Sequence, residues 1–241
     1  MSKLNVSVCF SPGLYNEYAT KSNVVVVIDI LRATSAICTA LYHGAKKIIP
    51  VVSVEVAKEY LNKADIVGAE RGGQIVEGFE YGNSPFCYAG SHVKDKTIVL
   101  TTSNGTFSIA AAQNAEEVII GSFLNLDSVV KWILSQSLDV VLLCSGWKRK
   151  FNLEDSLFAG AIVDELVLSG KNLALTDSAI AACELYKSAK GDLNGFLKDS
   201  SHRNRLKNLK IEKDVEYCLK LNQMDLIPVL TADGIVRLDR K

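Results

Sequence analysis

Five β-branched residues in a row, VVVVI at 24–28, run straight into Asp29. A strand made from such a run has no polar face, so it must be covered on both sides, as in a parallel sheet between layers of helices. The rest of the chain repeats that demand. Runs rich in Val and Ile alternate with stretches of helical period, the pattern of an α/β fold. Its 241 residues suffice for a full core, and the expectation is a single domain over 1–241.

Two stretches, 24–71 and 97–146, carry the same elements in the same order. The first reads as strand 24–29, a polar turn, helix 33–43, strand 47–51, helix 54–63 and strand 66–69. The second reads as strand 97–100, the turn TTSNGT, helix 105–113, strand 117–120, helix 126–135 and strand 140–143. The offset drifts only from about 70 to about 74 residues, and GAKKIIP falls opposite NAEEVII. The expected architecture is therefore a set of mainly parallel sheets flanked by helices, built from two repeated α/β halves and preceded by a strand at 6–10. The part from 151 to 241 reads as helical to about Leu221. DLIPVLTADGIVRL then reads as a closing hairpin, with Pro228 placing its first strand at a sheet edge.

Charge excludes some functions. With 27 basic and 27 acidic residues the chain has no overall field to attract nucleic acid or an anionic membrane, so any anion site must be local. No apolar run reaches the roughly 18–20 residues of a membrane helix. The six cysteines are scattered, without a CxxC pair or a secretory signal, and read as reduced thiols of a cytoplasmic protein.

In open α/β sheets ligands gather at the carboxyl ends of the strands. Asp29, Glu70, Thr101 and Cys144 stand at such ends, the last followed by Ser145 and Gly146. Asp29 leaves a buried strand and needs a partner. A magnesium ion shared with Glu70 is one candidate, and an ion pair with Arg32 is the other. Two polar turns open helices at matching places: Thr34 and Ser35 in the first stretch, and Thr102, Ser103, Asn104, Gly105 and Thr106 in the second. Their backbone N–H groups suit a phosphate or sulfonate, although N-capping alone would also explain either turn. Arg71 precedes Gly72 and Gly73, which allow close approach of a ligand. The glycine-rich stretch 70–90 reads as an ordered loop that brings Asn83 and Ser84 over the site. Glu77, Glu80, Glu154 and Asp155 could complete a metal shell. For Asp155 the favoured reading is complementarity to the helix that Asn152 caps. WKRKFN, at 147–152, either holds a polyanion or is an ordinary basic loop. His92 and His202 have no ligand-spaced partner, which argues against zinc.

Two phosphatase designs are absent. Cys144 has Lys150, not Arg, six places on, and Leu31 stands where a second Asp would be needed after Asp29.

VVVVIDILRATS, GAERGGQIVEGFEYGNSP, TTSNGT and CSGWKRKFNLEDSLFAG, in this order over nearly the whole chain, resemble the ComB family of magnesium-dependent 2-phosphosulfolactate phosphatases. The resemblance implies hydrolysis of 2-phospho-3-sulfolactate to 3-sulfolactate and phosphate, a step in coenzyme M synthesis. On that basis Asp29 and Glu70 are expected to hold Mg2+, with Arg32 and Arg71 on the anionic groups. Thr101, Thr102, Ser103, Asn104, Gly105 and Thr106 would cradle phosphate or sulfonate, and Glu154 would orient water or complete the metal shell. Asp29 could instead attack phosphorus directly, which a trapped phosphoenzyme would reveal.

Two other functions compete with this one: a phosphatase for another small phosphorylated hydroxy acid, and a non-catalytic protein that senses a sulfonate or phosphate metabolite. A substrate panel separates the first. The second would need anion cradles but no carboxylate cluster. The partner in every case is a small anion, and two copies of the chain could pair as a homodimer.

Overall fold

The computed structural model describes residues 3–19, 23–209 and 211–238. Among these, eleven strands form one sheet: β1 (Leu4–Cys9), β2 (Asn23–Ile28), β3 (Lys47–Pro50), β4 (Ile66–Arg71), β5 (Gln74–Ile75), β6 (Thr97–Thr101), β7 (Glu117–Gly121), β8 (Asp139–Cys144), β9 (Leu173–Leu175), β10 (Pro228–Thr231) and β11 (Gly234–Arg237). Their order across the sheet is β5-β4-β6-β3-β11-β10-β7-β2-β8-β1-β9. The pairings are parallel except those made by β5, β10 and β11.

The valine run becomes β2, and all six of its residues are buried. Val24, Val26 and Ile28 face one apolar layer, with Phe123, Phe158 and Ile162, while Val25 and Val27 face the other, with Ile37, Leu41 and Ile109. Among the described residues the α-helices are α1 (Ala33–Tyr42), α2 (Val54–Lys58), α3 (Gly105–Ala112), α4 (Leu126–Ser135), α5 (Leu153–Leu168), α6 (Asp177–Ala189), α7 (Leu193–Phe196), α8 (Ser201–Leu206) and α9 (Glu212–Cys218), and short 3-10 turns link several elements.

The strands of the two sequence stretches interleave. β2 of the first pairs with β7 and β8 of the second, and β6 of the second pairs with β3 and β4 of the first. If each strand is exchanged for its counterpart in the other stretch, the order β4-β6-β3 … β7-β2-β8 reads the same from the opposite end.

The closing hairpin lies mid-sheet, not at an edge. β10 meets β7 at one pair, Val229 with Ile119, and β11 meets β3 at one pair, Ile235 with Ile48. So few ladder bonds are formed there that the missing N–H of Pro228, at the start of β10, is tolerated. Gly234 has φ +121°, and a Cβ on it would lie 2.6 Å from the carbonyl oxygen of Ile48. The region after 151 is not wholly helical. Three residues, β9, add to the outer edge of β1, too short a run to show a strand period.

Candidate active site

β2 and β4 lie on opposite sides of the central hairpin in sheet order, yet their acidic ends share a pocket. The starts of α1 and α3 make this meeting close. A Cβ on Gly105, the first residue of α3, would lie 2.6 Å from Cβ of Ala33, the first residue of α1, and 2.9 Å from Oδ2 of Asp29. Only glycine fits where the two helix starts abut the carboxylate.

Asp29 is buried and accepts a 3.4 Å hydrogen bond at Oδ1 from the Ala33 N–H. Burial, followed by the negative charges of Asp155 and Glu70, pushes its carboxyl well above the usual carboxylate range, and Glu154 adds to the effect. Of the two partners open to Asp29, the ion pair with Arg32 is not formed. The Arg32 guanidinium is buried against Asp214 of α9, and its Nη2 donates to the Gly73 carbonyl at 2.8 Å. Ser84, expected at the substrate, donates instead to Asp214 Oδ1 at 2.9 Å.

Glu70 anchors the glycine-rich loop to the α3 turn. Its Oε1 accepts from Gly73 N at 2.6 Å and Ser103 Oγ at 3.1 Å, and its Oε2 from Ser103 N at 3.0 Å and Asn83 Nδ2 at 3.5 Å. Arg71 donates to the Glu70 carbonyl and to Thr101 Oγ1.

The hydroxyls of the two turns largely serve the backbone. Thr34 Oγ1 donates to the Asp29 carbonyl and accepts from the Asp29 N–H, and Ser35 Oγ donates to the Ile30 carbonyl. Thr102 and Thr106 bond each other reciprocally. These four are buried and committed to nearby backbone groups, and the residues at the N-caps of α1 and α3, Arg32 and Asn104, make no side-chain capping bond.

α5 brings more acid. Asp155 Oδ1 accepts from the Ile30 N–H at 2.9 Å, and its Oδ2 from the Gly146 N–H and Asn152 Nδ2, both at 3.0 Å. It therefore ties the loop after β2 to the loop after β8, a role beyond helix-dipole complementarity. Burial and the neighbouring Glu154 push its carboxyl up to about 7. The Asn152 side chain does not cap α5; its amide donates to Glu154 Oε1 and Asp155 Oδ2. Glu154 Oε1 also takes His202 Nδ1 from α8, while Glu154 Oε2 is buried with no protein partner. Cys144 is fully buried, and that burial, with Asp155 next, pushes its thiol well above its ordinary value.

Asp29, Arg32, Glu70, Asn83, Asn104, Trp147 and His202 line a pocket of only about 10 Å³, the space of a single water or small ion. Beside it opens a cleft of about 640 Å³ lined by Arg71, Ser103, Asn104, Ser145, Lys148 and Arg149. Asp214 carries no signal in the sequence, because it is joined to the site through Arg32, 182 residues away, and the bond that Asp155 accepts from the Ile30 N–H spans 125 residues. For Glu154 and His202 the separation is 48 residues.

An α/β scaffold that sets buried acids beside a cation-lined cleft is built to handle a small, multiply charged anion. The chain belongs to a family with that chemistry: over residues 9–233 it matches the 2-phosphosulpholactate phosphatases, which are phosphoric monoester hydrolases. It is similar to the probable 2-phosphosulfolactate phosphatase of Clostridium acetobutylicum, with 39% identity across 97% of this chain and 100% of that one. The protein of the same description from Clostridium botulinum (strain Eklund 17B) is 35% identical across 98% and 100%. That from Caldanaerobacter subterraneus subsp. tengcongensis is 41% identical across 92% and 93%.

Proposed function

We propose that the protein hydrolyses 2-phospho-3-sulfolactate to 3-sulfolactate and phosphate, with a magnesium ion at Asp29 and Glu70. One observation carries this reading: Asp29, Glu70, Glu154 and Asp155 are all buried together, while the buried guanidinium beside them, Arg32, is committed to Asp214. Acids packed this way are costly without a cation.

The donor set fits magnesium. It is made of hard oxygens, including the buried Asn83 Oδ1, which has no protein partner, around a space of one small ion. Among the described residues no three His, Cys, Asp or Glu side chains form a closed metal site, and magnesium commonly takes one or two carboxylates together with substrate phosphate. When bound, the ion would neutralise phosphoryl oxygens and the charge that develops on them.

The chain supplies the rest. Glu154, held at Oε1 by Asn152 and His202, presents Oε2 as the acceptor for a proton of the attacking water. Arg71 positions anionic oxygens at the cleft. The starts of α1 and α3 add the positive ends of two helix dipoles.

Phosphate release from 2-phospho-3-sulfolactate and from 2-phospholactate, each with magnesium and with a chelator, tests the proposal. Magnesium-dependent release that prefers the sulfonate supports it. Equal release from both moves the substrate to another phosphorylated hydroxy acid, and no release from either favours the sensor. A coenzyme M role belongs to the same proposal and depends on the product formed.

A further inference from the structure

The loop after β8 makes a turn that its own residues disfavour. Trp147 N–H donates to the Lys150 carbonyl at 3.0 Å, and Lys150 N–H returns a bond to the Trp147 carbonyl at 2.9 Å. Between them Lys148 has φ +49° and Arg149 φ +61°. Two successive positive φ values inside such a pair of bonds make a two-residue hairpin turn of type I′, which strongly prefers Asn-Gly. Here both positions carry long cationic side chains in a conformation that costs an L-residue free energy. Backbone strain held in place by its surroundings is a mark of function.

The surroundings do hold it. Asn104 Oδ1 accepts from the Lys148 N–H at 3.1 Å, and Ser11 Oγ donates to the Arg149 carbonyl at 2.6 Å. The Arg149 guanidinium lies 4.7 Å above the ring of Phe107. Both cations line the 640 Å³ cleft with Arg71, and no carboxylate side chain lines it among the described residues. None of the three forms an ion pair among the described residues. The wall also contains Ser145, fully buried, with an Oγ that has no protein partner. The cleft adjoins the small acidic pocket, since Asn104 and Trp147 line both.

We propose that this turn is a subsite for the second, unreactive anion of the substrate, with Lys148 and Arg149 binding the sulfonate and so setting the choice among phosphorylated acids. This rests on the proposed hydrolysis of 2-phospho-3-sulfolactate. The carboxylate of that compound shares a carbon with the reacting phosphate, whereas the sulfonate stands one carbon further out. Of the two, it is the sulfonate that reaches from the acidic pocket towards the tip of the turn.

The double variant Lys148→Asn, Arg149→Gly tests the subsite. It installs the residues the turn prefers, so folding is protected while both cations are removed. The readout is the ratio of kcat/KM for 2-phospho-3-sulfolactate over 2-phospholactate, which differ only in the sulfonate. The subsite predicts a ratio of about 10–100 in the natural protein, the worth of charge-assisted hydrogen bonds, falling towards one in the variant. A ratio that the variant retains overturns the proposal. Calorimetric titration with 3-sulfolactate and with lactate separates this inference from the proposed activity. A natural protein that hydrolyses neither ester but prefers 3-sulfolactate, and loses that preference in the variant, keeps the subsite and refutes the phosphatase substrate. Equal binding of the two acids by the natural protein refutes the subsite, whatever is hydrolysed.

Discussion

Gly105 lies so close to Asp29 that a single added methyl group would come within 2.9 Å of the carboxylate. The same methyl would meet Ala33 at 2.6 Å, so the glycine allows the starts of α1 and α3 to flank the acid. Gly105→Ala should lower stability by about 1–3 kcal/mol, as overpacking does, despite the better helix propensity of alanine. It should also reduce kcat, because Asp29 must shift. Thermal melting and phosphate release measure the two effects, and a melting temperature at or above that of the natural protein would contradict the contact.

Asp29→Asn should separate stability from activity. The variant loses a carboxyl whose ionisation burial and its neighbours oppose, so in the presence of a chelator it should melt above the natural protein. Turnover should drop by about 100-fold or more, and added magnesium should no longer raise the melting temperature. Melting scans with and without magnesium provide the check; an undiminished magnesium response would remove Asp29 from the metal site.

The pH dependence has a definite sign. Asp155, at about 7, and Asp29 both hold their protons more tightly in the folded chain than in the unfolded one, where carboxyls titrate near about 4. The contribution of Asp155 is complete below the unfolded value and is lost as pH rises through about 7, and that of Asp29 is lost in the same direction. The metal-free protein should therefore melt several degrees higher at about pH 5.5 than at about pH 8, and Asp155→Asn should flatten the difference. Magnesium competes with these protons, so its stabilisation should be larger at the higher pH. A metal-free melting temperature that climbs from the lower pH to the higher would contradict this.

Breaking the ion pair between Arg32 and Asp214 should be expensive. Asp214→Ala leaves a buried guanidinium without its carboxylate, at a cost of about 3–5 kcal/mol. At roughly 2–4 °C per kcal/mol for a chain of this size, the melting temperature should fall by about 10 °C. A drop of less than about 2 °C would mean that the pair adds little.

What the sequence disclosed followed from local pattern. The valine run, the polar turns at Thr34 and Thr102, and the acids at strand ends all follow from a residue's immediate neighbours. Pairing across the sheet does not. Nothing local to Pro228 indicates that its strand fills the middle of the sheet, because that place is fixed by two single contacts, with Ile119 through Val229 and with Ile48 through Ile235. Likewise nothing local decides between the two partners open to Asp29, magnesium and Arg32, because the carboxylate that Arg32 takes comes from α9, 182 residues further on. His202 has no ligand-spaced neighbour in sequence, and folding alone brings it to Glu154.

The position of that last hairpin bears on how the chain is made. On the ribosome the strands to either side, β3 and β7, emerge more than 100 residues before β10 and β11. Until residues 228–237 have left the exit tunnel, the facing edges of β3 and β7 have no partner in the sheet. Completion of the sheet, and with it the full joining of the Asp29 side to the Glu70 side, is therefore a late event in synthesis. A nascent chain stalled shortly before Pro228 would expose two open strand edges, the kind of surface that chaperones and aggregation compete for.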